Sequence, residues 1–361
     1  MKKTLKKDSN SGPAPMPSGV FAGPAAWRGE DMASSDCWVY RLSGSEIGEI
    51  EAALRRARER KLEIAAIGRE DFALPRLGTR LAELLRDILF GRGFVLVRGL
   101  PVERYTAAEA ATAFWGIGAH LGRAIPQNRM GHLLGHVRDF GRDPNDPTYR
   151  LYQTAVELKF HSDSCDVVGL LCLKTAKSGG QSVIVSSVSV CNEMMGRRPD
   201  LARLLFDPLA TDRRGEVPAG AKPYYVMPVF NHDRGTLSTM YNREYMESAQ
   251  RFEDVSRLTD RHREAFDLFD SLCGELKLAM DLVPGDMQFL HNHQILHART
   301  AYEDWPDDAR KRHLLRLWLC PPVGRELPSC FVDRYGSIEV GRRGGVVVPG
   351  VAPRVPLEPE G

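Results

Sequence analysis

Short runs of β-forming residues are scattered along this chain between helical segments, without a regular alternation of strand and helix. Residues 91–101, 284–292 and 312–320 are the clearest of these runs. Regular alternation would predict a parallel sheet, whereas this scatter favours antiparallel sheets that pack face to face. No Gly-rich phosphate-binding motif follows a strand. The sequence therefore predicts a mainly β protein with inserted helices, built as a sandwich or jelly roll.

Composition divides the 361 residues into three parts. Residues 1–25 are rich in Lys, Ser, Gly and Pro, which predicts a flexible basic tail. We expect residues 26–348 to form a single domain with helical insertions. Residues 349–361 are predicted to be a Pro-rich tail.

Charge and cysteine usage narrow the choice of partners and compartment. The 49 Lys and Arg nearly balance the 47 Asp and Glu, giving a formal net charge of +2, so neither nucleic acid nor a membrane is expected as a partner. The chain has no apolar run of about 18 residues that could span a bilayer. Its seven cysteines contain no Cys-x-x-Cys pair, which is typical of a reducing compartment. We expect a cytoplasmic protein.

The tripeptide His161-Ser162-Asp163 indicates a metal site. In a strand, residues two apart project to the same face, so the imidazole and the carboxylate converge. With a distant second histidine they would form a 2-His-1-carboxylate facial triad, which binds Fe(II) and leaves positions open for O₂.

The second histidine is expected from the His-dense region formed by His291, His293, His297 and His313. We favour His297, which stands between two strand-like segments that a jelly roll could bring beside an earlier strand. A helical zinc pair of His293 and His297 is the competing interpretation. It is disfavoured because Gln294 occupies the position of the Glu that such zinc motifs require.

Two arginines share one face of the strand-like segment that begins at Arg312. Arg312 and Arg316 are four residues apart, so both guanidiniums would enter one apolar pocket. A buried guanidinium needs an anion, and its planar fork fits a carboxylate. A dicarboxylate cosubstrate and an acidic substrate would satisfy the pair, and salt bridges to Asp or Glu are the structural alternative. Ser182, on the strand that follows the metal-ligand strand, could add a hydroxyl donor.

These residues resemble the TauD/TfdA family of Fe(II)/2-oxoglutarate-dependent oxygenases, within the clavaminate-synthase-like group. The resemblance spans about residues 93–321, and several ordered motifs carry it: Gly93-Phe-Val-Leu-Val-Arg-Gly-Leu-Pro101, Phe160-His-Ser-Asp163, Gly179-Gly-Gln-Ser182, Asn292-His-Gln-Ile-Leu-His-Ala-Arg-Thr300 and Arg312-His-Leu-Leu-Arg-Leu-Trp318. It implies a double-stranded β-helix (jelly-roll) core.

The resemblance also assigns roles to residues. It implies that His161, Asp163 and His297 bind iron and that Arg312 holds the distal carboxylate of 2-oxoglutarate, with Ser182 where many members have Thr. It places Arg316 where several members meet an acidic group of the substrate. The implied reaction oxidises an unactivated C–H bond with O₂ and forms succinate and CO₂, with hydroxylation as the default. The resemblance also allows a homo-oligomer.

Other residues are candidates for substrate contacts. Counting back by twos from His161 along a regular strand places Glu157 in the cavity, where it could meet an ammonium group. The pair Gln127 and Asn128 lies in a long predicted loop, and Tyr241 and Arg243 follow a strand-like segment; both pairs are plausible rim contacts. We therefore expect a small, polar substrate that is carboxylated or amino-acid-like. The alternative function is a non-catalytic jelly-roll binding protein or sensor, and a zinc hydrolase is a third choice.

Overall fold

The computed structural model describes residues 16–17, 19–143 and 151–360. Most of the predicted N-terminal tail, residues 1–15 and 18, lies outside the described residues. The helices are α1 Gly29–Ala33, α2 Gly44–Glu59, α3 Leu77–Phe90, α4 Ala107–Leu121, α5 Ser187–Arg197, α6 Pro199–Leu205, α7 Arg243–Ser248, α8 Asp260–Leu276 and α9 Val332–Tyr335. The strands are β1 Val39–Arg41, β2 Phe94–Arg98, β3 Arg123–Ala124, β4 Leu134–Val137, β5 Leu158–His161, β6 Val167–Lys174, β7 Ser178–Gly179, β8 Ser182–Ser186, β9 Leu209–Asp212, β10 Tyr224–Met227, β11 Phe230–Asp233, β12 Thr236–Thr239, β13 Leu278–Met280, β14 Met287–His291, β15 Ile295–Arg299, β16 Tyr302–Glu303 and β17 His313–Cys320.

Two sheets make up the centre of the molecule. The larger has the order β1-β2-β14-β6-β17-β3, with β4 also paired to β17, and the smaller has the order β13-β8-β15-β5. Within these two sheets only β1 and β2 are parallel. Side chains of the two sheets meet in one apolar cluster that includes Phe94 and Trp318 from the larger sheet and Ile184 and Ile295 from the smaller. The sheets therefore face each other.

Helices cover the outer faces of both sheets. Helices α2, α3 and α4 pack on the larger sheet through a cluster that includes Phe114 and Phe289. Helices α5, α6 and α8 pack on the smaller sheet around Val185 and Leu296. Capping boxes at Ser43 and Thr106 begin α2 and α4 where the sequence turns from polar to periodic. The predicted mixture of sheets and inserted helices is confirmed, although the helices contain more of the described residues than a mainly β fold implies.

Two segments predicted to be irregular, a long loop and the C-terminal tail, pair with the rest of the protein. The predicted long loop that holds Gln127 and Asn128 continues into β4, whose residues pair with β17 beside Arg316. The C-terminal segment packs against the domain: Arg354 forms a bridge with His132, and the carbonyl of Pro356 contacts Nε2 of His136 at 3.0 Å. All seven cysteines are free thiols. No helix among the described residues is long and apolar enough to cross a membrane.

Candidate active site

Three side chains with metal-binding atoms converge between the two sheets. His161 at the end of β5 lies directly across from His297 of β15, with their ring centroids 4.2 Å apart. Asp163 follows β5, and its Oδ1 and Oδ2 atoms lie 3.8 Å and 3.6 Å from Nε2 of His161 and Nε2 of His297. Each residue offers one ligand atom within 4.8 Å of the others. The sequence spacing and the structure thus bring the three predicted ligands to one point.

His161 is oriented to bind a metal through Nε2. Nδ1 of His161 donates to the carbonyl of Lys159 at 2.9 Å, which leaves the lone pair of Nε2 directed at the site. Burial, followed by the charge of His297, lowers the pKa of His161 to about 4, so the imidazole is neutral near pH 7. Nδ1 of His297 has no hydrogen-bond partner among the described residues.

Asp163 is fixed through both its backbone and its carboxylate. Its backbone N–H donates to Oδ1 of Asn292 at 2.9 Å, and its Oδ2 accepts a hydrogen bond of 2.9 Å from Nε1 of Trp318. Nη1 of Arg316 lies 3.5 Å from the same oxygen. Burial alone would raise the pKa of Asp163, but Arg316 and His297 hold it well below its ordinary value. A carboxylate held ionised beside two imidazoles fits Fe(II) as a 2-His-1-carboxylate set.

A cavity adjoins the two histidines and is lined from both sheets. Its lining residues are Val137, Tyr152, Leu158, His161, Val168, Leu170, Ser182, His297, Ala298, Arg299, Arg312, Leu314 and Arg316. The predicted residues Arg312, Arg316 and Ser182 thus share one cavity with the two histidines.

Arg316 lies beside the metal ligands and is held by two neighbours. Its Nε donates to Oε1 of Gln127 at 2.7 Å, and its guanidinium stacks on the ring of Tyr152 at 4.5 Å. Only 5% of the residue is exposed, yet Nη2 has no hydrogen-bond partner among the described residues. An anion in the cavity could accept from this atom.

Arg312 reaches the cavity past a glycine turn. Gly180 has a φ of +73°, and a Cβ there would lie 2.9 Å from Nε of Arg312, so the close passage requires glycine. Nη2 donates to the carbonyl of Gly180 at 3.3 Å, whereas Nη1 is buried without a partner among the described residues. Burial lowers the pKa of Arg312. The hydroxyl of Ser182 donates a hydrogen bond of 2.9 Å to Oε1 of Gln288, so its proton already has an acceptor within the protein.

Glu157 does not reach the cavity, contrary to the sequence expectation. Across β5 and β15, His297 faces His161 and Arg299 faces Leu158, so two intervening residues of β5 lie opposite the single Ala298 of β15. This bulge places Leu158 in the cavity lining and reverses the alternation assumed from His161. Glu157 is exposed and pairs with Lys159.

The other predicted substrate contacts have different places. Gln127 is buried against Arg316, and Asn128 accepts backbone hydrogen bonds within its own loop. Tyr241 is a core residue whose hydroxyl donates to Asp270 at 2.8 Å, while its carbonyl accepts from the backbone N–H of Ser162 at 2.8 Å. None of these four residues is among the residues that line the cavity, and Arg243 pairs with the acidic side chains Asp267 and Asp270 of α8.

Sequence reasoning missed Trp318, Tyr152 and Arg299. Trp318 continues the alternation of Arg312 and Arg316 along β17, so the same spacing argument predicts it. Arg299 follows His297 by two residues on β15 and could have been found in the same way. The competing zinc pair is absent, because Nε2 of His293 lies 2.8 Å from Oδ1 of Asp166, in a separate buried network.

Comparison with known proteins places this arrangement in a family. The profile of the "Taurine catabolism dioxygenase TauD, TfdA family" matches residues 58–318. The "FR-33289 synthase" of Streptomyces rubellomurinus is 33% identical over 326 residues, which cover 87% of this chain and 94% of that protein.

Solved structures agree in fold. Asparagine oxygenase in complex with Fe(II), 2S,3S-3-hydroxyasparagine and succinate has a TM-score of 0.59 at 17% identity, covering 78% of this chain and 93% of the other. The non-heme iron oxygenase OrfP in complex with Fe and alpha-ketoglutaric acid has a TM-score of 0.60 at 16% identity, with the same coverage. With its convergent His161, Asp163 and His297, the chain therefore belongs to the TauD/TfdA family and is an Fe(II)- and 2-oxoglutarate-dependent dioxygenase.

Proposed function

We propose that this enzyme hydroxylates an unactivated C–H bond of a small polar metabolite that carries a carboxylate or is amino-acid-like. His161, Asp163 and His297 would hold Fe(II), and O₂ and 2-oxoglutarate are the cosubstrates, with succinate and CO₂ as co-products. Bound Fe(II) supplies the redox chemistry with O₂. The asparagine oxygenase neighbour, which is described with a hydroxylated amino acid, supports this substrate class.

One observation carries the substrate assignment. Nη2 of Arg316 is buried in the cavity without a partner among the described residues, and its guanidinium lies beside Asp163. Tyr152 and Gln127 hold that guanidinium in one orientation. An acidic group of the substrate would complete its hydrogen bonds and so orient the substrate next to the metal.

Arg312 is proposed to bind the distal carboxylate of 2-oxoglutarate, with Ser182 beside it. The unpartnered Nη1 of Arg312 and its burial support this role, because a buried guanidinium gains most from a carboxylate. The other side chains of the cavity, such as Leu158 and Leu314, exclude water.

We also propose that the two facing sheets are a double-stranded β-helix, or jelly roll, and that residues 26–348 act as a single oxygenase domain. The pairing of β2 with β14 and of β5 with β15 supports this, since late strands lie beside early strands in both sheets. The alternative of a non-catalytic binding protein has no support in the site, because all three ligand side chains are present.

Anaerobic titration with Fe(II) and 2-oxoglutarate tests the cofactor roles. The protein should develop the visible charge-transfer band of a 2-oxo acid chelated to ferrous iron, and Asp163→Ala should abolish it. Arg312→Met should shift the half-saturating 2-oxoglutarate concentration upward, whereas Arg213→Met, a buried arginine that pairs with Asp333 away from the cavity, should not. A folded protein that binds iron without forming the band would contradict the proposal.

A substrate screen tests the role of Arg316. Amino acids should stimulate succinate formation more than the corresponding amines that lack the carboxylate. Arg316→Met should remove this preference, with iron content measured in parallel because Arg316 also contacts Asp163. Equal stimulation by acids and amines in the unmodified enzyme would contradict a carboxylated substrate.

A further inference from the structure

A second arginine lies in the same cavity as Arg312. Arg299 is on β15, two residues after His297, and its backbone is directly opposite Ser182 of β8. Residues opposite each other in an antiparallel pair share a face, so Arg299 and Ser182 project to the same side, and both line the cavity with Arg312.

The two guanidiniums are buried with unused donors. Arg299 and Arg312 are each 5% exposed. Nε and Nη1 of Arg299 and Nη1 of Arg312 have no hydrogen-bond partner within the described ranges. Nη2 of Arg299 donates to the carbonyl of Val156, a neutral acceptor. Between them the arginines therefore present three free N–H-bearing nitrogens.

One aromatic ring joins the two side chains. The Cζ atom of Arg299 lies 4.7 Å from the ring centroid of Tyr302, and the Cζ atom of Arg312 lies 5.2 Å from the same centroid. Both distances are within the range of a cation–π contact. Tyr302 thus holds two like charges in one small region, an arrangement that costs free energy unless an anion joins them.

The protein itself does not supply that anion at hydrogen-bonding distance. Over residues 16–17, 19–143 and 151–360, no carboxylate forms an ion pair with either guanidinium within 4.0 Å. Asp139 acts on Arg299 through space, and Asp304 accepts a hydrogen bond of 2.7 Å from the backbone N–H of Arg312, not from its guanidinium. Arg316 differs, because Asp163 lies 3.5 Å from its Nη1.

We propose that Arg299 is a second cosubstrate-binding residue, which shares the distal carboxylate of 2-oxoglutarate with Arg312 and makes the enzyme select a 2-oxo diacid over a 2-oxo monoacid. This rests on the proposed placement of 2-oxoglutarate at Arg312. Arg299 belongs to that end of the cavity because Ser182, Tyr302 and Arg312 are its neighbours, whereas Arg316 adjoins Asp163. Arg316 then remains available to bind the substrate alone.

Binding measurements without O₂ test the proposal independently of turnover. Calorimetry on the Fe(II)-loaded protein under anaerobic conditions gives dissociation constants for 2-oxoglutarate and for 2-oxobutanoate, which lacks the distal carboxylate. Arg299→Met should weaken 2-oxoglutarate binding about tenfold or more and leave 2-oxobutanoate binding nearly unchanged. Arg299→Lys, which keeps the charge but loses the planar fork, should give a smaller loss. Arg213→Met is the matched control for removal of a buried arginine, and should change neither constant.

The possible outcomes distinguish the role of Arg299 from the proposed binding of 2-oxoglutarate at Arg312, on which it rests. Equal weakening of both 2-oxo acids in Arg299→Met, or unchanged 2-oxoglutarate binding, would overturn the role of Arg299. If the unmodified protein binds the two acids equally, the placement of 2-oxoglutarate at Arg312 fails and the role of Arg299 fails with it. Circular dichroism establishes whether each variant is folded. If Arg299→Met does not fold, the 2-oxoglutarate affinity of Arg299→Lys tests the role of Arg299.

Discussion

Nε1 of Trp318 donates a hydrogen bond of 2.9 Å to Oδ2 of Asp163, so a residue of the larger sheet orients a metal ligand that follows a strand of the smaller one. A hydrogen bond from a neighbouring side chain to a metal ligand fixes the direction of that ligand's lone pairs. The metal centre is therefore braced from both sheets.

Replacing Trp318 by Phe should weaken iron binding. The ring would still pack, but Asp163 would lose its neutral donor, so we expect about a tenfold lower affinity for Fe(II). Anaerobic metal titration measures this. Trp115→Phe is the control, because Nε1 of Trp115 donates to the carbonyl of Ile67 in a core cluster on the outer face of the larger sheet. Equal iron affinity in both variants would count against the bracing role.

Gly135→Ala should destabilise the protein by acting on Arg316. Gly135 lies opposite Arg316 across β4 and β17, and a Cβ there would lie 2.4 Å from Oε1 of Gln127, the acceptor of Arg316 Nε. We expect Gln127 to be displaced and the free energy of unfolding to fall by about 1–3 kcal/mol. Urea unfolding measures it. Gly274→Ala, in helix α8 with open space around it, should instead raise that free energy by about 0.5–1 kcal/mol.

Arg343→Met should lower the free energy of unfolding more than the same substitution of an exposed arginine does. Nε of Arg343 donates to Oδ1 and Oδ2 of Asp166 at 2.9 Å and 3.1 Å, and the residue is 1% exposed. Removing it leaves a buried carboxylate with one partner fewer, which typically costs about 3–5 kcal/mol. The adjacent Arg342→Met, whose guanidinium is exposed beside Glu339, should change the free energy of unfolding by less than about 0.5 kcal/mol. Similar losses in the two variants would contradict this.

Two histidines outside the cavity predict a dependence of stability on pH. Nδ1 of His136 and Nε2 of His313 are 2.8 Å apart. Burial, then His136, Arg138 and Lys174, lower the pKa of His313 to about 3. Burial also lowers the pKa of His136, which Glu358 and Glu360 partly oppose.

Because the folded chain keeps His313 neutral, the unfolded chain binds the extra proton between about pH 6.5 and pH 3. Stability should therefore be unaffected by this group above pH 6.5 and fall as the pH drops through that window, by about 1 kcal/mol per pH unit. His313→Gln should flatten the fall between pH 6.5 and pH 5, as measured by urea unfolding at each pH. An unchanged slope would show that other groups cause the acid sensitivity.

The convergence of the three possible metal ligands, and the shared cavity of Arg312 and Arg316, could be predicted because regular strands repeat every two residues. The spacing of His161 and Asp163, and that of Arg312 and Arg316, carries over directly from sequence to a shared cavity. The same rule failed at Glu157, where a bulge adds one residue to β5. A bulge depends on how the partner strand pairs, which local alternation does not encode.

Partners far along the chain explain the remaining errors. Tyr241 and Arg243 resemble exposed rim residues locally, but α8 supplies Asp270 to both. Strand β4 lies in a polar, Gly-containing segment and forms because β17 offers it an edge. Single-sequence patterns identify the polar residues, and tertiary packing decides which of them are buried.

The pairing of His161 with His297 also limits when the enzyme can acquire its metal. These two ligands come from strands far apart in the chain, and β2 likewise pairs with β14, which lies much later in the sequence. Long-range pairings of this type form late, since the loop between them must close before the contacts stabilise it. During synthesis on the ribosome, a chain that has not yet emerged through β15 offers iron only His161 and Asp163. The complete set of three ligands therefore exists only after β15 has paired with β5.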